Sequence, residues 1–221
     1  MSKVVKNIAF SDIAQSLIDK SVTKEQLLSN VKSNFSLISL LITGVGHPKA
    51  NVRYGCAKVL MDLSEEHPEK MYPYFDFFVD LLESKYRILK WNALAIIANL
   101  TKVDINKKFD AIFDKYYSFL NDGYMVTVAN VVGNSINIAL GKPYLISKIT
   151  ERLLTVKDVS LTPHLTEECK RVIVQQTIKI FDQFFNQIEQ KEKVLNFVRT
   201  YVNSPRLKLK KIAEAFVEKW T

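Results

Sequence analysis

The sequence predicts an all-α superhelix of about five helix pairs behind an N-terminal helical cap, filling residues 1–221 as one repeat domain. Three observations predict it. Glycine and proline number 6 each in 221 residues, too few for the turns of an all-β sandwich or for a glycine-cradled nucleotide site. The hydrophobic fraction of 48% supports a substantial core and excludes wholesale disorder. Most telling, an amphipathic segment returns every 36–44 residues, the period of stacked helical pairs.

The cap comes first. A helix is expected from about Val4 to Asp19, then a short one to about Lys32 opened by the capping box Thr23-x-x-Gln26. Residues 1–34 form this cap, since a terminal repeat must turn one face to water. The repeats occupy 35–221.

Val52–Leu63 aligns with Leu89–Leu100 at an offset of 37, matching Val52 with Leu89, Cys56 with Ala93, Leu60 with Ile97 and Leu63 with Leu100. Arg53 falls on Lys90, and Tyr54 on Trp91. His47–Leu63 aligns with Ser204–Trp220 at an offset of 157, setting Pro48 on Pro205. Weaker copies lie at Met125–Ile136 and Cys169–Ile180. Positions 52, 56, 60 and 63 share one helical face. Pro48 and Pro205 stand where one helix stops and the next begins, because proline lacks the donor that a helix interior needs. A first helix precedes each copy, at Leu37–Ile42, Tyr72–Leu82, Phe109–Leu120, Tyr144–Leu154 and Val194–Val202. Each hairpin has a single apolar side and must stack to bury it. The stretch Val156–Pro163 reads as an insertion, with a binding element as the alternative, ahead of a long helix reaching about Gln187.

The residues Pro48, Val52, Arg53, Ala57 and Leu60 resemble the inter-helix turn and second helix of the HEAT-repeat (armadillo-like) family; Pro205, Leu209 and Lys210 match more loosely. The resemblance implies a right-handed α–α superhelix, a HEAT-like solenoid, whose second helices line a concave face. Where that family keeps an Asp to pair with the neighbouring repeat's Arg, this chain has Asn51 and Lys208.

No catalytic, cofactor or metal site is predicted. His47, His67 and His164 each sit beside a proline in a turn without metal-ligand spacing. Cys56 and Cys169, 113 residues apart, read as buried small hydrophobes in a reducing compartment. Asp76 with Asp80, and Asp110 with Asp114, read as polar faces of first helices. Some HEAT-like proteins are alkylpurine DNA glycosylases that set Trp and Asp one helical turn apart. Here Trp91 is followed one turn later by Ala95, so the match fails at the residues that carry the chemistry. Gly44-Val45-Gly46 lacks the third glycine of a dinucleotide fingerprint. The first 20 residues hold no secretory signal, and Met125–Leu140 is broken by three asparagines, so a cytoplasmic protein without a membrane span is expected.

The predicted function is a non-catalytic interaction scaffold that binds a peptide, helix or protein partner along the concave face. Reading down the second helices gives one stripe of Tyr54, Trp91, Thr127, Arg171 and Lys211, and another of Asp62, Asn99, Ser135, Lys179 and Lys219. The candidate partner-binding residues are Tyr54, Trp91, Thr127, Asn130, Asn134, Arg171, Lys179 and Lys211, types that make binding hot spots or donate hydrogen bonds. The net charge of +8 is concentrated toward the C-terminal end, where residues 191–221 hold 8 basic and 3 acidic side chains. An acidic peptide, helix or protein partner follows from that balance. Nucleic acid, held by Arg171, Lys179, Lys208, Lys210, Lys211 and Lys219, is the second choice.

Overall fold

The computed structural model describes residues 9–221 and is all-α; among these residues β-type pairing is confined to an isolated bridge between Thr162 and Leu165. Two compact units divide the chain, one ending at Val103 and the other beginning at Asp104.

In the first unit, α1 (Phe10–Asp19) ends at Lys20, which adopts the left-handed conformation (φ 60°). The expected start of this helix at Val4 lies outside the described residues. The capping box forms as expected. Gln26 N donates to Thr23 Oγ1 (3.2 Å) and Thr23 N donates to Gln26 Oε1 (2.9 Å), opening α2 (Lys24–Ser33). The first repeat pairs α3 (Ile38–Val45) with α4 (Ala50–Glu66), and Pro48 lies in the turn between them. The second begins with the short α5 (Pro68–Met71) and, after a 3-10 turn at Tyr72–Tyr74, α6 (Phe75–Leu81). Pro73 sits in that turn, so the helix expected from Tyr72 starts three residues later. Its partner is α7 (Arg87–Leu100). Within this unit α4 packs on α3 and α7, and α6 packs on α7.

The second unit holds three more pairs. They are α8 (Lys108–Ser118) with α9 (Met125–Gly141), α10 (Ile146–Leu154) with α11 (Glu167–Phe184), and α12 (Lys191–Arg199) with α13 (Leu207–Trp220). Here α11 packs between α9 and α13, while α12 packs on α10 and α13. In this unit the second helices α9, α11 and α13 therefore form one layer. Phe109, Phe113, Tyr116 and Tyr117 of α8 fill the core, and the Tyr117 hydroxyl meets Ser135 Oγ at 3.1 Å.

Val156–Pro163 is tied down. Thr162 Oγ1 donates to Gly123 O (2.6 Å), His164 O accepts from Met125 N (3.2 Å), and the His164 ring stacks on Tyr124 at 4.3 Å. The segment thereby satisfies a free N–H of the first turn of α9.

Cys56 is fully buried, and burial pushes its thiol up to about 12. Cys169 departs from expectation. It lies in the first turn of α11, half-buried, and accepts a hydrogen bond from the Thr166 hydroxyl at 3.3 Å.

Arg53 is 6% exposed, and its Nη1 donates to His47 O (2.9 Å) and Pro48 O (3.0 Å) of its own turn. The guanidinium lies 3.8 Å from the centre of the Tyr86 ring, which precedes α7. Backbone carbonyls and an aromatic face thus stand where the resembled family uses an Asp.

Candidate functional site

The second helices begin after N-cap residues Lys49, Tyr86, Tyr124, Thr166 and Arg206. Counted from these caps, the fifth positions are Tyr54, Trp91, Ala129, Arg171 and Lys211, every one of them half-buried or exposed. Four of the five third positions are buried, Val52, Leu89, Thr127 and Leu209, while Cys169 is half-buried. Thr127 is a third position and is 1% exposed, so it is removed from the candidate surface. The α9 cap at Tyr124 lies two residues beyond the position that the repeat spacing predicts, which turns a helical side chain through about 200° at 3.6 residues per turn. The same two-residue difference places Ser135 on the expected stripe. Ser135 is buried, and the thirteenth position after the cap is the half-buried Asn137. Asn99 is also buried, donating to Ser64 Oγ at 3.0 Å.

In the first unit, Tyr54 meets Tyr86 edge-to-face at 6.4 Å, and its ring forms one side of a trough of about 410 Å³. Trp91 is half-buried on α7.

In the second unit, the outward side of α9 carries Asn130 and Asn134, both half-buried. Asn130 Nδ2 donates to Val126 O at 2.8 Å, within its own helix. The Asn134 amide pairs with Tyr116, while its Nδ2 is buried with no hydrogen-bond partner among the described residues. Lys179 of α11 and Lys219 of α13 line a depression of about 220 Å³ floored by Ile178, Ile212 and Phe216. Lys211 stands exposed one turn before Ala215 of that depression. Arg171 belongs to a different hollow, lined also by Lys170, Tyr201 and Asn203. Sequence reasoning missed Gln175 and Gln176, which extend the amide stripe onto α11; Gln175 Oε1 accepts from Arg206 Nε at 3.1 Å. The signal for Gln176 is its cap-relative position, the tenth, which it shares with Asn134; Gln175, the ninth, aligns with Gly133 in that count.

Comparison with solved structures decides the fold. A designed armadillo repeat protein matches over 96% of this chain and 93% of its own, with a TM-score of 0.63 and 21% identity. A second, in complex with the peptide (KR)4, matches over 96% and 91%, with a TM-score of 0.64 and 17% identity. A third, computationally designed for modular peptide recognition, matches over 96% and 92%, with a TM-score of 0.60 and 18% identity. The chain has an armadillo-like helical-repeat fold. No protein-family model and no curated protein matches it.

On this armadillo-like frame the charges are partly neutralised. Of the six cations weighed for nucleic acid, Arg171 pairs with Glu168 (3.2 Å), Lys210 with Glu214 (3.8 Å) and Lys219 with Asp182 (2.8 Å). Hydrogen bonds from Arg206 and Arg171 hold the Glu168 carboxyl below the usual range. Lys179, Lys208 and Lys211 have no ion pair among the described residues.

The carboxylates behave as structure. Asp76, Asp80 and Asp114 are exposed on first helices, and Asp114 Oδ1 accepts from Arg152 at 2.6 Å. Asp110 instead joins a cluster that the sequence did not announce. Lys142 Nζ lies 2.9 Å from Asp104 and 2.9 Å from Asp110, and the Tyr144 hydroxyl donates to Asp110 at 2.8 Å. Asp104 also accepts from the backbone N–H groups of Lys108 (2.8 Å) and Phe109 (2.9 Å), capping α8. The cluster fixes a helix start. Among the described residues no group of three metal-ligating side chains occurs, and no helix is long and apolar enough to cross a membrane.

Proposed function

We propose that this armadillo-like chain is a non-catalytic scaffold that binds an acidic peptide, helix or protein segment through side chains of its second helices. One observation carries the reading. In the second unit α9, α11 and α13 lie side by side, and their outer sides present hydrogen-bonding amides and cations. Asn130, Asn134, Arg171, Lys179 and Lys211 are the binding residues there, with Tyr54 and Trp91 serving the first unit.

The peptide-bound structural neighbour carries the basic (KR)4. This chain, at net +8 and with no ion pair on Lys179 or Lys211 among the described residues, favours the opposite sign. Free Cys56 and Cys169 suit a reducing, cytoplasmic setting.

Fluorescence anisotropy with a labelled octapeptide alternating glutamate and leucine, against (KR)4 as control, tests the reading. The acidic peptide is expected to bind, and Lys179→Glu with Lys211→Glu to weaken it by about tenfold, the order of two rim charges at ~0.7 kcal/mol each. Equal binding of both peptides overturns the sign of the partner, and an unaltered charge-reversal variant overturns the site. Labelled duplex DNA is the discriminating probe for the nucleic-acid reading, which the three ion-paired cations weaken. Binding whose log affinity falls by ~0.9 per phosphate contact with log salt restores it.

A further inference from the structure

We infer that the trough between α1, α2 and α4 is an anchoring pocket for an apolar side chain flanked by acidic residues on a protein partner. The inference rests on the partner-binding reading above and gives it a subsite.

The trough encloses about 410 Å³, within the range of pockets that bury a ligand group. Leu17, Val22, Ala50 and Gly55 make it apolar, and Tyr54 closes one side. Lys20 and Lys24 also line it, and no Asp or Glu does. Neither lysine has an ion pair among the described residues. An apolar interior beside two lysines without ion pairs matches an apolar group carried next to carboxylates, where Coulomb attraction adds to burial.

The walls are held in place without any ligand. Asn51 Nδ2 donates to Leu17 O (3.0 Å), pinning the end of α1 to α4. Ser21 N donates to Asp19 Oδ1 (3.0 Å), and the capping box at Thr23 fixes the start of α2. Gly55 admits Leu17 closely, for a Cβ there would lie 3.2 Å from Leu17 Cδ2. Such preorganisation lowers the ordering cost of binding.

The test is NMR of the isotope-labelled full chain, titrated with the alternating glutamate–leucine octapeptide and with a glutamate–serine octapeptide. Saturable shifts at Leu17, Val22, Ala50 and Gly55 are expected with the leucine peptide, at least fivefold weaker with the serine one. Ala50→Phe fills the trough from the exposed start of α4. Lys24→Glu reverses the rim charge at a helix N-terminus, where an acid is favoured and folding is retained. Both are expected to abolish the trough shifts and spare those on α11 and α13. Shifts confined to α9, α11 and α13 overturn the pocket and leave the partner face standing. Shifts confined to the trough support the pocket and remove that face. Equal response to both peptides, an unaffected Ala50→Phe variant, or concentration-dependent shifts without peptide overturn the pocket. Silence throughout overturns both.

Discussion

Lys142 Nζ lies 2.9 Å from the Asp104 carboxylate with the two side chains 3% and 0% exposed. Two charges so fully removed from water hold together because each is also hydrogen-bonded elsewhere, Lys142 to Tyr144 (3.0 Å) and Asp104 to two N–H groups of α8. Lys142→Met removes the ammonium from beside the buried Asp104 carboxylate, and is expected to cost about 3–5 kcal/mol in urea denaturation. Adding Asp104→Asn to that variant should recover part of the loss, since the asparagine oxygen still accepts from α8. A loss under 1 kcal/mol for Lys142→Met would show that water reaches the pair.

Asp110 gives the same cluster a pH dependence. Burial works to raise its carboxyl, but hydrogen bonds from Lys142 and Tyr144 outweigh it and hold it below its ordinary value of 3.8. A depressed carboxyl stabilises the fold above that value, and the contribution disappears as pH falls through the lower folded one. Lys142 has the opposite sign. Burial pulls it down, yet hydrogen bonds with Tyr144, Asp110 and Asp104 raise it above 10.5, so its contribution is complete below 10.5 and disappears at higher pH. Urea midpoints measured from pH 2 to 6 should fall less steeply for Asp110→Asn than for the parent. The difference is expected to be small, because the Asp110 side chain is 29% exposed.

Arg53 is expected to resist replacement by lysine. Its Nη1 reaches two carbonyls while the guanidinium plane lies against Tyr86, and an ammonium reproduces neither the fork nor the stack. Arg53→Lys should cost roughly 1–3 kcal/mol by chemical denaturation. An unchanged midpoint would mean that aliphatic packing alone accounts for the residue.

These residues also show what the sequence carried. Val52, Cys56, Leu60 and Leu63 announced α4, and their counterparts announced α7, because a buried helical face repeats every 3–4 residues whatever its neighbours. The caps were less legible. Lys49, Tyr86, Tyr124 and Arg206 accept no side-chain capping bond, so the usual N-cap residue is missing at those starts; Ser84, Asp122 and Ser204, two residues earlier, accept from the backbone N–H of the last three instead. Without that mark the third repeat slid by two residues, Thr127 went to the surface and Ala129 was missed. Asp104 and Lys142 are 38 residues apart, and neither has a local pattern to signal the other. Only the packing of α8 against the end of α9 brings them together. Asn130 and Asn134 could be read as polar positions on an apolar helix, but the unpaired Nδ2 of Asn134 is a matter of its neighbours.

Two glycines separate close approach from mere proximity. At Gly44 of α3 an added Cβ collides with Cys56 Sγ and lies 3.2 Å from Cys56 Cβ and 3.2 Å from the Phe10 ring. Those are fixed atoms of a packed interface, so Gly44→Ala should destabilise by about 1–3 kcal/mol. At Gly133 of α9 an added Cβ meets Gln176 Nε2 at 2.5 Å, the far end of a flexible side chain, while Gln176 Cδ is 3.7 Å away. The amide swings aside, and alanine's better helix propensity offsets the displacement, so Gly133→Ala should be neutral or stabilising by up to ~1 kcal/mol. Adding Cys56→Ala to Gly44→Ala removes the sulfur and should recover part of the loss. The remainder reports the Cβ–Cβ and Phe10 contacts. Thermal midpoints of the four proteins check the argument, and a Gly133→Ala loss as large as that of Gly44→Ala would mean that Gln176 is held as rigidly as Cys56.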